Sequence, residues 1–325
     1  MKKIAIIGAG LTGITIAQQL NNHFNVTLFE KSRGVGGRMA TRRVDDFEFD
    51  HGAQFFTAKS AAFQQVVTQL ITAGVAARWD ARFAEFSGSD ILNERVWGDR
   101  FPHYVGIPGM NAICKYLAKN LDIRLNTRIK HIKRDTEWRL IDEHDNDLGT
   151  YEWVIVTAPA EQASQLMPAS FRFNENLRSI KMSGCYSLML GFEKSLPLNF
   201  DAAMVQQADI SWISVNSTKP ARPHKPALLV NSTNQWADAN MDNDEQAVIE
   251  YLCGELKRVT GFDSSQASCR SLQRWRYANM GAQPNQDGFI DFDENLAACG
   301  DWCIQGRVES AFLVGQRVAA KILSA

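Results

Sequence analysis

Residues 3–20 read KIAIIGAGLTGITIAQQL, and residues 26–30 read VTLFE. KIAII at 3–7 is a short apolar run of the kind that forms a strand buried in a parallel sheet. GAGLTG follows at 8–13, and ITIAQQL then sets Ile14, Ala17 and Leu20 at helical spacing. VTLFE is a second strand, ending on Glu30. Each glycine has its own task. Gly8 permits the tight turn. Gly10 lets the backbone approach a pyrophosphate, whose charge is met by the helix N-terminus. Gly13 lets the helix lie close to the strand. Glu30 stands where an acid accepts hydrogen bonds from adenosine ribose hydroxyls. The stretch therefore predicts a Rossmann-type unit that binds a dinucleotide.

The next residues, KSRGVGGRMAT at 31–41, bring Gly36-Gly37-Arg38 to the carboxyl edge of the second strand, where such folds bind ligands. The glycines allow backbone contact, and Arg38 can neutralise phosphate charge. This run resembles the extended fingerprint of flavoproteins of the amine oxidase and protoporphyrinogen oxidase superfamily. The resemblance implies FAD, with the glycine pair and Arg38 beside its pyrophosphate and ribityl chain.

Further along, residues 39–44 and 47–51 read as a hairpin around Asp45-Asp46. Ser60 is expected to cap a helix carrying Phe63, Val66, Val67, Leu70 and Ile71, a core stripe. Short strands are expected within 75–101. At 106–117, Pro108-Gly109 makes a turn before a helix, and strand-like segments follow at 123–125, 128–133 and 137–141. WVIVTAP at 153–159 is a buried strand. CYSLMLGF, DISWISV and PALLVNS look like strands of a separate sheet, and TKPARPHKP at 218–226 like an exposed proline-rich loop. Asp242 is placed to cap a helix through Val259, with Glu245 completing a capping box. The chain closes on a strand ending in Gly300-Asp301 and a helix over 307–323.

The fold class expected is α/β: a Rossmann-type FAD-binding domain with a parallel sheet, helices and a small antiparallel sheet. It is interleaved with an α+β substrate domain on a mixed or antiparallel sheet. The expected boundaries are 1–60, 104–163 and 284–325 for the first, and 61–103 and 164–283 for the second.

Composition narrows the function classes. The chain has 325 residues, 45% hydrophobic and 22% charged, with net charge -1 and no block of like charge. Neither nucleic acid nor an acidic membrane surface is an expected partner. No stretch approaches the ~20 apolar residues of a membrane span. Gly8, Gly10 and Gly13 interrupt the run after Met1-Lys2-Lys3, which argues against a signal peptide and for a cytoplasmic protein. The six cysteines form no CxxC pair and are read as buried thiols, not a metal site or disulfide framework. The six histidines show no metal spacing and no pairing with a nucleophilic Ser or Cys, and are read as surface residues. Oligomeric state is not legible.

Five segments in order, GGRMAT at 36–41, DHGAQFFT at 50–57, YVGIPGMNAI at 104–113, QRWRYA at 273–278 and CGDWCIQGRVESAF at 299–312, resemble the renalase family, in particular its bacterial branch. The resemblance implies non-covalent FAD, oxidation of 2-dihydro-NAD(P), with 6-dihydro-NAD(P) as a second form, to NAD(P)+, and reduction of O2 to hydrogen peroxide. The cofactor residues it implies begin with Gly8, Ala9, Gly10, Leu11, Thr12 and Gly13, then Glu30, Lys31, Gly36, Gly37, Arg38 and Met39. Gly52, Ala53, Gln54 and Phe55 follow, with Arg128 and Ile129. At the far end Asp301 is implied to accept a bond from a ribityl hydroxyl. Val308, Glu309 and Ala311 open a helix whose N-terminus stabilises charge on the reduced flavin. No protein base is required for hydride transfer, so no residue is assigned to catalysis. Gln54, Thr57, Trp212, Asn231, Trp275, Arg276 and Tyr277 are the substrate candidates. Arg276 suits either a substrate phosphate or a surface acid. Some relatives carry histidine where this chain has Asn231, which puts a titrating contact there in doubt. The alternatives are an amine or porphyrinogen-type oxidase and a non-catalytic flavin-binding redox sensor.

Overall fold

A computed structural model of the chain describes residues 1–281 and 284–325. Strand Lys3–Ile7 lies between parallel neighbours. Ile4–Ile7 pair in register with Trp153–Val156, and Lys3–Ile7 with Asn25–Phe29. With both edges and both faces covered, Ile4, Ala5 and Ile6 are fully buried, which is why this strand reads as an unbroken apolar run. The six-stranded sheet runs in the order 289–291, 296–298, 153–156, 3–7, 25–29, 122–124. It is parallel except for Phe289–Asp291, which pairs antiparallel with Leu296–Ala298. A three-stranded antiparallel sheet, Ile129–Arg134, Trp138–Asp142 and Asp147–Tyr151, accompanies it. This compact unit comprises Met1–Arg38, Cys114–Met182 and Met280–Ala325.

Its helices Leu11–Leu20 and Val308–Leu323 pack closely at Gly315, where a Cβ would stand 2.8 Å from Thr15 Cβ and 2.9 Å from the Thr12 carbonyl oxygen. The Thr12 hydroxyl donates to the carbonyl of Ala311 at 3.0 Å, fixing the start of one helix on the other.

The second unit comprises Met39–Ile113 and Ser183–Asn279. Its seven-stranded sheet runs in the order 269–279, 183–191, 227–232, 210–215, 202–206, 82–87, 90–96. All pairs are antiparallel except Ala202–Gln206 with Arg82–Ser87, so the sheet is mixed. One face packs under helix Glu245–Thr260, which buries Val248, Ile249, Leu252, Leu256 and Val259 against Leu188, Val230, Ile213 and their neighbours. Each such side chain contributes about 1.5–3 kcal/mol.

Two local expectations change. The helix cap is Asp244, which accepts from the Ala247 N–H, while Asp242 lies in the preceding turn and pairs with Arg276. Segment 218–226 is not an exposed loop throughout: the side chains of Lys219 and Arg222 are wholly buried. The compact units also divide elsewhere than the sequence suggests. Residues 39–60 fold with the second unit because Phe47 and Phe49 pack on Met189, Ala227 and Leu229. Residues 104–113 do so because Tyr104–Gly106 pairs with Ala76–Arg78. The boundary expected at residue 283 lies outside the described residues. No described helix is long and apolar enough to cross a membrane.

Candidate active site

In the first unit, the turn after strand Lys3–Ile7 has the features a pyrophosphate requires. Gly8 sits at φ +111°, a conformation an L side chain rarely adopts. A Cβ on Gly13 would lie 2.1 Å from the Gly8 carbonyl oxygen, so only glycine lets the helix approach. A Cβ on Gly10 would meet nothing within 4 Å, leaving open space over the helix start. Gly10 offers no side-chain cap and the first turn holds no acid, so its N–H groups favour an anion. Glu30 is buried, and its carboxylate accepts from the Ala9 N–H at 2.9 Å and the Ser32 N–H at 2.8 Å. A carboxylate has about four acceptor positions, so two remain for ribose hydroxyls. Gly36 N–H donates to the Ala9 carbonyl at 2.9 Å, tying the Gly36-Gly37-Arg38 run to the turn. These residues fit a dinucleotide.

Arg38 and Asp301, implied respectively at the pyrophosphate and the ribityl chain, are joined to each other by a bidentate pair at 3.0 and 2.5 Å. Lys31 donates to Gln162 at 3.1 Å, and Arg128 pairs with Glu143 at 3.2 Å. Leu11 and Ile129 are buried. Val308, Glu309 and Ala311 form the first turn of a helix whose N-cap, Arg307, gives it no side-chain cap. Met39, Gly52, Ala53, Gln54 and Phe55 fall in the second unit.

In the second unit, the sheet face opposite helix Glu245–Thr260 carries a polar and aromatic row beside the apolar patch of Met189 and Leu229 under Phe47 and Phe49. Gln273, Ser187, Asn231 and Trp212 form one cross-strand row on it. Trp212 packs on Phe55, Phe83 and Trp97, with ring centroids 5.5, 6.0 and 6.3 Å away. The His51 carbonyl is held to this face by the Ser187 hydroxyl at 2.9 Å and the Trp275 indole N–H at 2.7 Å. The His51 ring stacks on Trp275 at 5.2 Å. His51 is thus buried, contrary to the surface reading of the histidines. Burial, assisted by Arg42 and opposed by Asp50, lowers its pKa to about 4, so it is neutral near pH 7.

Behind this loop lies a cluster that sequence reasoning missed. Asp50 accepts from Thr41 at 2.7 Å and the Met110 N–H at 3.0 Å through one oxygen. Through the other it accepts from Arg222 Nη2 at 2.6 Å and Lys219 Nζ at 3.3 Å. Arg222 also donates to the carbonyl of Gly106, and Lys219 to Asn216 and to Gln54 Oε1. A signal was present: Asp50 stands between the aromatic pairs of FEFDHGAQFF, and an acid buried in such a run needs a cation as partner. Burial alone would raise the Asp50 carboxyl. Lys219, Arg222 and the hydrogen bonds together outweigh it and hold Asp50 below its usual range. Burial pulls Lys219 down to about 8, with Asp50 opposing and Arg222 assisting.

A pH dependence follows. Between about pH 8 and the unfolded value of 10.5, the folded Lys219 has lost the proton that the unfolded chain keeps. The unfolded state binds more protons in that window, so this group adds stability as pH rises through it. Urea unfolding of wild type and Lys219→Met across the window is expected to show wild type gaining relative to the variant. A constant difference would contradict the lowered pKa. Asp50 acts at the other end: its contribution is present above the ordinary carboxylate range and is lost as pH falls through its lowered folded value.

The remaining substrate candidates separate. The Gln54 amide is turned into its own loop, donating to the carbonyls of Asp50 and Gly52 while its oxygen takes Lys219, so it anchors the loop. Trp275 commits its N–H to His51. Thr57 and Tyr277 are half-buried. Arg276 pairs at 2.7 Å with Asp242, which is 85% exposed, so the surface-acid alternative describes it. Arg276→Ala is accordingly expected to leave the unfolding midpoint and substrate KM unchanged; a large rise in KM would return the guanidinium to the substrate.

The family model for flavin-containing amine oxidoreductases matches residues 85–323, and that for an NAD(P)-binding Rossmann-like domain matches residues 6–70. Renalase of Mus musculus is 23% identical over 308 residues, covering 86% of this chain and 86% of its own. Among solved structures, a putative protoporphyrinogen oxidase from Exiguobacterium sp. 255-15 superposes with TM-score 0.75 at 14% identity, covering 98% of this chain and 99% of its own. A wild-type putrescine oxidase bound to putrescine superposes with TM-score 0.74 at 12% identity, covering 100% and 99%. At such identities the structures speak for the fold alone.

Proposed function

The chain belongs to the flavin-containing amine oxidoreductase family, and from that premise we propose that it is an FAD-dependent oxidase of isomeric dihydronicotinamide dinucleotides. A flavin-dependent oxidoreductase is the coarser statement, supported by the family match and the likeness to renalase. The finer reading assigns non-covalent FAD to the first unit and 2-dihydro-NAD(P), with the 6-dihydro form as a second substrate, to the polar and aromatic sheet face of the second. When bound, the flavin supplies the two-electron step, accepting hydride from the dihydropyridine and passing electrons to O2 to give NAD(P)+ and hydrogen peroxide.

The observation that carries the substrate reading is the character of that face. It offers planar rings and a side-chain amide, and its buried histidine is neutral at pH 7. Such groups orient a flat ring and its substituent, as a hydride donor requires, rather than take a proton. Phe55, Trp97 and Trp212 pack on one another instead of standing apart as a cage around an amine.

Within the first unit, the open space over Gly10 and the spare acceptors of Glu30 would hold the pyrophosphate and the adenosine ribose. The Arg38–Asp301 pair would orient the ribityl chain that leads from the pyrophosphate to the flavin ring. The test is peroxide formation under air with 2-, 4- and 6-dihydro-NAD(P) and a panel of amines, on protein whose flavin is identified after acid precipitation. Peroxide from the 2- and 6-dihydro isomers, with FAD released into the supernatant, is the expected result. Peroxide from amines alone would establish the amine oxidase instead. Turnover of none would leave a redox sensor, and flavin retained in the pellet would contradict non-covalent binding.

A further inference from the structure

Strand pairing sets Trp212 directly opposite Asn231 on the second unit's polar face. Side chains so placed have Cβ atoms about 4.5–5.5 Å apart. Both carry a buried polar atom with no hydrogen-bond partner among the described residues: the indole Nε1 of Trp212, a donor only, and Oδ1 of Asn231, an acceptor. Ser214 Oγ on the same face and His51 Nδ1, on the loop held against it, are in the same condition. A buried polar group left unmet costs about 1–3 kcal/mol. Several on one face therefore call for a ligand that meets them. The indole is not free to turn away, because Phe55, Phe83 and Trp97 surround its ring.

We propose that Trp212 and Asn231 form a recognition pair for a planar amide edge, the indole N–H donating to its carbonyl oxygen and the Asn231 amide accepting from its N–H. The chemistry is complementary: one donor and one acceptor on the protein meet one acceptor and one donor on the ligand. The Asn231 amide, carrying both oxygen and NH2, can also reverse its role by rotation. A titratable acid or base at this position would tie recognition to pH; an asparagine does not. Two molecules of the proposed reaction carry such an edge, the carboxamide of the nicotinamide ring and the pyrimidine edge of the flavin. The proposal rests on the oxidase reading above for the identity of both.

The test uses Trp212→Phe, which keeps an aromatic ring among Phe55, Phe83 and Trp97 but removes the pyrrole part of the indole with its N–H, and Asn231→Leu, which keeps the branched shape and heavy-atom number and removes the amide. Neither variant breaks a hydrogen bond seen in the fold. Trp212→Phe loses packing and is expected to melt somewhat lower for that reason, whereas Asn231→Leu is expected to hold or rise. A clear fall in Asn231→Leu would mean that its amide serves the fold and would overturn the proposal. Binding is then measured on the flavin-loaded protein by calorimetry, with NAD+ and with its 3-acetylpyridine analogue, which keeps the carbonyl but lacks the amide NH2. Flavin affinity is measured separately by reconstitution.

If the carboxamide is the ligand, wild type prefers NAD+ by about tenfold, worth ~1.4 kcal/mol. Asn231→Leu abolishes that preference, and Trp212→Phe weakens both ligands alike. If the flavin edge is the ligand, the preference survives and both variants lose flavin affinity instead. Preference and flavin affinity both unchanged would overturn the proposal. A wild type that neither binds NAD+ nor is reduced by any dihydro isomer would sink the oxidase reading, and the flavin arm alone then judges the pair.

Discussion

Asp50→Asn is expected to destabilise the protein by about 3–5 kcal/mol, the range seen when one partner of a buried ion pair is removed. The side chains of Asp50, Lys219 and Arg222 are all fully buried, so water cannot replace the lost charge. Asparagine retains an oxygen for Thr41 and the Met110 N–H, so the loss isolates the charge from the hydrogen bonds. The two cations then differ. Lys219, already lowered to about 8, can shed its proton. Arg222 cannot, and remains a buried charge facing an amide. Adding Arg222→Met to Asp50→Asn is therefore expected to recover part of the loss, whereas Arg222→Met alone removes bonds to Asp50 and Gly106 and costs stability by itself. A double-mutant cycle by urea unfolding measures this coupling directly. A loss below ~1 kcal/mol for Asp50→Asn would show that the cluster does not hold the 50–54 loop.

The second large effect separates cofactor binding from folding at two glycines three residues apart. Gly13→Ala would force a Cβ to 2.1 Å from the Gly8 carbonyl oxygen and 2.9 Å from Thr157 Oγ1, and a backbone oxygen cannot turn aside. Overpacking of this kind costs about 1–3 kcal/mol, and the turn opens with it. Both the melting temperature and the flavin content are expected to fall. Gly10→Ala has no such clash, and Gly10 adopts φ −77°, which alanine accepts. That variant should melt at or slightly above wild type, since alanine restricts the unfolded chain. Its new methyl nevertheless fills the space over the helix N-terminus, so flavin affinity should drop by roughly tenfold or more, equivalent to at least ~1.4 kcal/mol. A stable Gly10→Ala protein that keeps its flavin would remove the pyrophosphate from this turn.

The glycine turn was legible in the sequence because its glycines and its acid repeat a fixed local spacing, although Thr157, which bonds the Gly8 carbonyl, comes from 149 residues away. The turn glycines, the helix spacing and Glu30 are fixed within thirty residues, and Glu30 reaches back to Ala9. The Asp50 cluster was not legible. Its cations come from 169 and 172 residues away, inside a segment whose prolines and charges look like a solvated loop. Trp212 and Asn231 could be named as candidates, but their common face could not be derived from alternation alone. A register shift between Ile210 and Trp212 puts Ile210 opposite Ser232 and Trp212 opposite Asn231. Ile210 thereby joins the core under helix Glu245–Thr260 while Trp212 faces the other way. Counting in twos from Ile210 would have buried Trp212 in that core. For Arg276 the sequence left a substrate phosphate and a surface acid open, because both use the same guanidinium geometry; its side chain ends on the exposed Asp242.

Under the function proposed above, a misplaced hydride on a nicotinamide ring is what reduces the flavin. Rapid anaerobic mixing of the flavin-loaded protein with 2-dihydro-NAD(P), against the ordinary 4-dihydro form and an amine, tests it most directly. Fast loss of oxidised-flavin absorbance with the 2-dihydro isomer, accompanied by one NAD(P)+ per flavin and not matched by the other two, is the result this account requires. Equal or faster bleaching by the amine or the 4-dihydro form would contradict it.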